Sequence, residues 1–285
     1  MRRRDAVAVL LGVGAGARGH ARGSLDRMWG DTAGTALVVD VRSRRLMAVR
    51  DAITAGRALA PPGSTLKPFV LSELLRTHKL GLEERFACPG RLTIGGRSFN
   101  CSHPPVTSAL DVPAALAYSC NCFTAHFAER FEPGELATSL ERAGLASRTA
   151  WVGTGEANGR IERAQSREAN QMQALGEEGV LVTVAELALG YRQLALWAVE
   201  PVRQGLESAV EYGTAQRARV AGMAVAGKTG SVRTSAGAHI AWFAGFAPSR
   251  TPEVVVAVML QGRSGGADAA PVAGRILEAW REGRL

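Results

Sequence analysis

The sequence predicts an α+β (mixed α/β) fold: a central, mostly antiparallel sheet flanked by helices, with an inserted all-helical lobe. Strand-prone runs lie at both ends of the chain, at residues 35–41 and 45–50 and again at 239–246 and 253–260. Between them, apolar residues recur at helical spacing, punctuated by Pro and Gly. No internal repeat or low-complexity tract points to another architecture. The expected division is a leader over 1–30 and one domain over 31–285. Its sheet lobe spans about 33–60 and 220–285, and its helical lobe about 64–219.

The chain begins Met1-Arg2-Arg3-Arg4, then runs weakly apolar from Ala6 to Ala17. That pattern is expected of a secretory signal peptide or weak anchor; a membrane span needs about 20 apolar residues. Thr35–Val41 and Arg45–Arg50 face each other across a polar turn and form a hairpin. Pro61-Pro62-Gly63 breaks the chain before Ser64, after which Phe69, Val70, Leu71, Leu74 and Leu75 give a helix to about Leu80. A second hairpin turns at Gly95-Gly96, flanked by Cys88 and Cys101. One helical pattern runs from Val112 through Ser119 towards Arg130, and a short helix follows Pro133-Gly134. Residues 146–170 read as a loop. Thr183 caps a helix ending near Trp197, and 206–219 fits another. Two strands, 239–246 and 253–260, then precede a closing helix over 271–281, and Trp242, Phe243 and Phe246 are expected in the core. His126, on an apolar helix, is expected to be packed in the core, and His239 is given no role.

Composition narrows the function. At 285 residues, 46% hydrophobic and 21% charged, the chain is an ordinary globular protein with a net charge of +8. Its arginines are scattered and no basic run is interleaved with aromatics, so no nucleic-acid partner is expected. Of Cys88, Cys101, Cys120 and Cys122, the first two sit on opposite arms of a hairpin, and a Cys88–Cys101 disulfide is favoured. A zinc site with His103 is the rival, weakened by the lack of a C-x-x-C pair; free buried thiols rank third. No metal ligand and no cofactor is assigned.

Of 34 basic residues, only Lys67, Lys79 and Lys228 are lysine. Arginine holds its proton at ordinary pH, whereas a desolvated lysine can act as a base. Ser64 and Lys67 stand i and i+3 at a helix start and so share a face. Burial would lower the Lys67 pKa and leave an amine to take the Ser64 proton. Ser119-Cys120-Asn121 follows 55 residues after Ser64, and Lys228-Thr229-Gly230 a further 109 residues after Ser119. Each is weak alone. Gly222 to Thr229 even satisfies the literal phosphate-loop pattern, but apolar, strand-like residues precede the lysine and no helix follows.

Together the three elements resemble the penicillin-binding-protein and serine β-lactamase superfamily. Pro62-Gly-Ser-Thr-Leu-Lys-Pro-Phe, Ala209-Val-Glu-Tyr-Gly-Thr-Ala, Ala226-Gly-Lys-Thr-Gly-Ser and Ala241-Trp-Phe-Ala-Gly-Phe-Ala-Pro look like the transpeptidase domain of class B members, over about residues 33–283. The resemblance implies Ser64 as the acylated nucleophile and Lys67 as its base. It implies Ser119 as relay to the leaving amine and Asn121 as holder of the substrate amide. Lys228, Thr229, Gly230 and Ser231 would bind the substrate, whose terminal carboxylate faces Lys228. Backbone N–H groups of Ser64 and Ser231 would form the oxyanion hole.

The implied activity is D,D-transpeptidase or D,D-carboxypeptidase, acting on D-alanyl-D-alanine stem peptides outside the cytoplasm, in the periplasm or at the outer face of the cytoplasmic membrane. β-Lactams would be ligands and other cell-wall synthesis proteins partners. The sequence departs from the family in Ser231, where threonine is usual, and in Ser102-His103-Pro104-Pro105, which replaces a Gly-His-Gly segment. The latter weakens carry-over of a zinc site proposed for some relatives. A β-lactamase and a non-catalytic receptor are the alternatives; the Glu-x-x-Leu-Asn loop of class A β-lactamases is not evident between 146 and 180.

Overall fold

The structure is a computed structural model that describes residues 24–29, 32–234 and 237–285. Residues 1–23 of the expected leader lie outside the described residues.

In chain order, β1 (Gly34–Asp40) and β2 (Leu46–Arg50) form the first hairpin, followed by α1 (Ala52–Arg57). A 3-10 turn, Gly63–Leu66, runs directly into α2 (Lys67–Arg76). The short β3 (Thr93–Ile94) and β4 (Arg97–Ser98) make the cysteine-flanked hairpin. Then come α3 (Val112–Ala117), α4 (Asn121–Ala128), α5 (Glu135–Arg142), β5 (Arg160–Ile161), α6 (Arg167–Ala174) and β6 (Val180–Leu181). Helices α7 (Val184–Trp197) and α8 (Glu200–Glu211) complete the insertion. Strands β7 (Ala226–Arg233), β8 (His239–Ala247) and β9 (Val254–Gln261) and helix α9 (Ala270–Arg281) close the chain.

The main sheet has the order β2-β1-β9-β8-β7, with every neighbouring pair antiparallel. The last strands thus pair with the first around a helical insertion that also carries two short ladders, β3–β4 and β5–β6. Both faces of the sheet are covered, so β9 is buried along nearly its whole length. Alternate residues sort the core. Leu37, Val39, Trp242, Phe246 and Met259 pack with Phe69, Leu71 and Tyr191 on the insertion side. Ala36, Val38, Phe243, Val256 and Val258 pack with Ile276 and Leu277 of α9 on the other.

Four expectations are corrected. Leu25, Met28 and Trp29 fell inside the expected leader, yet they are buried with α9, because their apolar faces complete that side of the sheet. The helix expected over 112–130 breaks at Tyr118–Cys120, where Ser119 adopts φ +56°, a left-handed conformation that cannot continue a helix. Cys120 then caps α4, its sulfur accepting from Phe123 N at 3.3 Å. The helix read as 206–219 is α8, starting at Glu200 beside Pro201 and ending at Glu211. His126 is exposed and stacks on Phe86, with ring centroids 4.5 Å apart.

Two long-range bonds hold the nucleophile turn. Tyr191 OH of α7 donates to Thr65 O at 2.9 Å, and Trp242 Nε1 of β8 donates to Pro61 O at 3.0 Å. Helix α7 is itself fixed at its start by a Thr183–Glu186 capping box. Among the described residues no helix is long and apolar enough to cross a membrane.

Candidate active site

Ser64 lies within the 3-10 turn, and Lys67 is the first residue of α2. Three residues per turn place positions i and i+3 one above the other, which aligns the two side chains. Lys67 is wholly buried. Its Nζ donates to Ser119 O at 2.7 Å, to Ser119 Oγ at 3.3 Å and to Asn121 Oδ1 at 2.5 Å. Asn121 is oriented by its amide, which donates to Phe99 O at 2.9 Å. Among the described residues no hydrogen bond joins Lys67 Nζ to Ser64 Oγ; the amine is engaged by Ser119 and Asn121 instead. The break between α3 and α4 is what makes this possible, because the left-handed Ser119 turns both its carbonyl and its hydroxyl toward α2.

Burial pulls the Lys67 pKa down from 10.5 to about 8, against the opposing pull of the nearby thiols and of Glu177. That difference corresponds to about 3 kcal/mol against the charged form. A substantial share of the side chain is therefore neutral amine just above neutral pH.

The third motif lies in mid-strand on β7. Gly230 brings it against the nucleophile turn: a Cβ there would sit 2.7 Å from Pro62 O and 3.0 Å from Thr65 Cγ2. Lys228 is wholly buried, and its Nζ donates to Thr229 O at 3.1 Å. Burial, together with the charge of Lys67, holds its pKa well below the ordinary lysine value. Thr229 Oγ1 bonds Thr214 Oγ1 at 3.0 Å, and Ser231 Oγ accepts from Gly265 N at 2.9 Å. The phosphate-loop reading is excluded by this geometry: Gly227-Lys228-Thr229 sits in mid-strand, with no helix after it.

Lys67, Ser119 and Asn121 thus share one hydrogen-bonded corner, Ser64 stands one turn before Lys67, and Gly230 of β7 lies against the same turn. Sequence reasoning gave no role to Thr214, although it stood in one of the quoted segments, nor to Glu177.

The cysteines overturn the favoured disulfide. Cys88 and Cys101 are both unbridged, with their sulfurs 3.7 Å apart. Instead Cys88, Cys101, His103 and Cys120 converge, their ligand atoms all within 4.8 Å of one another. Cys101 Sγ lies 3.7 Å from Cys120 Sγ, Cys120 Sγ lies 3.4 Å from Cys88 Sγ, and His103 Nε2 lies 3.6 Å from Cys88 Sγ. Zinc–sulfur bonds of about 2.3 Å on a tetrahedron put neighbouring sulfurs about 3.8 Å apart, so the donor set fits a tetrahedral zinc ion. Hydrogen bonding from Cys120 pulls the Cys101 thiol down to about 4, while the same contact and burial push Cys120 up. One thiolate is thus already favoured before any cation is considered. Cys122 lies beside the group, bonded to Arg91 O at 3.5 Å. The four donors come from two hairpin arms, a loop and the cap of α4, so no C-x-x-C pair marks them in the sequence.

A fold assembled around these motifs has known counterparts. Over 293 aligned residues the chain is 29% identical to the probable peptidoglycan D,D-transpeptidase PenA of Neisseria meningitidis. The alignment covers 84% of this chain and 50% of that protein, so the chain spans about half the length of the curated relatives it matches. The transpeptidase domain of penicillin-binding protein 3 from Burkholderia pseudomallei superposes with a TM-score of 0.79 at 22% identity, covering 92% of this chain and 91% of that one. PBP2 of Pseudomonas aeruginosa gives a TM-score of 0.79 at 20% identity, covering 90% and 76%. The family model for the penicillin binding protein transpeptidase domain matches residues 34–278, from β1 into α9, and by that match the chain belongs to this family.

Proposed function

We propose that the chain is a serine acyl-transferase that cleaves D-alanyl-D-alanine stem peptides of peptidoglycan outside the cytoplasm and is acylated by β-lactams. The observation that carries this reading is the buried Lys67 amine, bonded to both Ser119 and Asn121 one helical turn from Ser64. The name of the PenA relative, a probable peptidoglycan D,D-transpeptidase, supports the substrate class.

Neutral Lys67 takes the hydroxyl proton of Ser64 as its oxygen attacks the penultimate carbonyl. Backbone N–H groups of Ser64 and Ser231 stabilise the oxyanion, each such donor being worth about 3 kcal/mol in the transition state. The proton passes from Lys67 through the Ser119 hydroxyl to the leaving D-alanine amine, and Asn121 holds the substrate amide. Lys228 has no carboxylate bonded to it among the described residues. A substrate carboxylate therefore supplies the missing counter-charge, and its binding restores the proton that burial disfavours. Thr229, kept in register by Thr214, and Ser231 add hydroxyl contacts along β7. The acyl group then passes to an amine of a second stem peptide or to water; other cell-wall synthesis proteins are the partners this role implies.

In the same reading, Cys88, Cys101, His103 and Cys120 hold a zinc ion. Such an ion would tie the β3–β4 hairpin to the start of α4, a structural role with no reacting group bound to it.

Intact mass during incubation with benzylpenicillin is the test. One persistent adduct, absent from Ser64→Ala, is the expected result. An adduct that vanishes with rapid hydrolysis of the drug would make the protein a β-lactamase, and no adduct would leave a binding domain. Lys228→Ala is expected to raise KM for a carboxylate-bearing substrate by about tenfold or more while kcat changes less, as steady-state kinetics would show.

A further inference from the structure

Glu177 follows Gly176, whose backbone is packed against Gly63, the residue before Ser64. Helix α6 ends in a Schellman turn, with Glu177 N donating to Met172 O at 3.1 Å and Gly176 N to Gln173 O at 2.9 Å. Gly176 takes φ +71°, and a Cβ there would lie 2.2 Å from Gly63 O, so only glycine allows the approach. Gly63 N, one residue before Ser64, donates to Gly176 O at 3.0 Å. The turn after α6 and the nucleophile turn are therefore locked together.

The side chain this delivers is a half-buried carboxylate. Among the described residues no hydrogen bond to it is found. The charges that act on it are Arg97 of β4 and Lys67 of α2. Arg97 is already paired with the neighbouring Glu178 and lies over the Phe99 ring. Burial outweighs both cations and raises the Glu177 pKa, so this carboxylate accepts a proton more readily than an exposed one.

We propose that Glu177 is the base that takes the proton from the nucleophile that deacylates Ser64. The inference rests on the acyl-enzyme reading above. As the acceptor's N–H or O–H attacks the acyl carbon, a C–N or C–O bond forms and its proton passes to the Glu177 carboxylate. The acyl–Oγ bond breaks, and the proton held by Glu177 passes through the neutral Lys67 amine to Ser64 Oγ, which restores the hydroxyl, the amine and the carboxylate together. Attack and departure are thereby served by different groups: Lys67 makes the acyl-enzyme and Glu177 resolves it.

The test compares the full chain with Glu177→Gln. Benzylpenicillin acylation is followed by intact mass, then adduct loss after removal of free drug, with and without hydroxylamine. Acylation within about threefold of wild type is expected, and the loss of the adduct, already slow over hours in the wild type, is expected to slow about a hundredfold further, as for loss of a general base. Hydroxylamine attacks without needing a base and is expected to release both adducts at one rate. The wild-type deacylation rate is expected to fall as pH drops through the Glu177 pKa, and that limb is expected to vanish in the variant. Equal lifetimes in the two proteins would overturn the inference alone, and so would slower hydroxylamine release from the variant, which marks a distorted site. Equal slowing of acylation and deacylation would also overturn it, by assigning Glu177 to the tuning of Lys67. Absence of any adduct on wild type would instead overturn the acyl-enzyme reading, and this inference with it.

Discussion

Replacing Lys67 with methionine is expected to slow acylation of Ser64 by about a thousandfold, within the range lost when a positioned base is removed. Methionine matches the stem of the lysine and leaves the burial of the site unchanged, so the loss isolates the amine. The pH dependence gives an independent signature. With its pKa drawn by burial from 10.5 to about 8, wild-type Lys67 is mostly ammonium at neutral pH and mostly amine above 8. Acylation is therefore expected to rise about tenfold per pH unit below 8 and to level off above it, while the methionine variant shows no such limb. A rate profile that is flat in both proteins would remove Lys67 from the base role.

Stability follows the same group with the opposite emphasis. The unfolded chain holds the Lys67 proton up to about pH 10.5 and the folded chain only to about 8. Between those values the unfolded state binds more protons, so the contribution of this group to stability rises with pH. Below 8 its penalty is complete, about 3 kcal/mol at most. The methionine variant is expected to lack this pH dependence, which denaturant unfolding at pH 7 and pH 10 would detect. Lys67 thus trades stability for chemistry.

The second large effect is expected at Cys120. Cys120→Ser removes one of four converging donors, and the purified variant is expected to lose its one equivalent of zinc. Its Tm is expected to fall by roughly 5 °C or more, because a bound ion would tie the β3–β4 hairpin to the start of α4. Cys122→Ala is the control, since the Cys122 sulfur bonds Arg91 O beside the cluster and is expected to leave the zinc in place. Cys120 also stands between Ser119 and Asn121, so its loss is expected to slow acylation as well. Metal analysis, thermal unfolding and benzylpenicillin labelling on the two variants check all three. Zinc retained by Cys120→Ser at full stoichiometry would rule out the four-ligand centre.

The strands were legible because the β-prone, apolar runs of β1, β8 and β9 are written in neighbouring residues. The Thr183 cap and the closing helix were legible for the same reason. The catalytic set was legible through three short motifs whose order and spacing mean more than any one of them. The helix across Ser119 was misread because its apolar spacing does continue through the break. Only the positive φ of Ser119, which turns its carbonyl toward Lys67, interrupts it. The leader was drawn too long because Leu25, Met28 and Trp29 reveal their burial only once α9 is in place.

Sequence by itself determined the α+β class and the antiparallel sheet built from both chain ends, and it singled out Ser64, Lys67, Ser119, Asn121 and Lys228 to Ser231 as the residues proposed for the site. These depend on residue type and on periods of two to four residues, which the chain carries locally. Tertiary structure alone decided that Lys67 is held by Ser119 and Asn121, that Thr214 steadies Thr229, and that Glu177 is locked beside Ser64 through Gly63 and Gly176. It also decided that the cysteines converge on a common point with His103 where a hairpin disulfide was expected. These contacts join residues up to 113 positions apart, Gly63 to Gly176 being the longest of them. A local pattern fixes which chemistry a side chain can offer, but distances of 3 Å between distant segments are set only when burial and hydrogen bonding are satisfied throughout the fold.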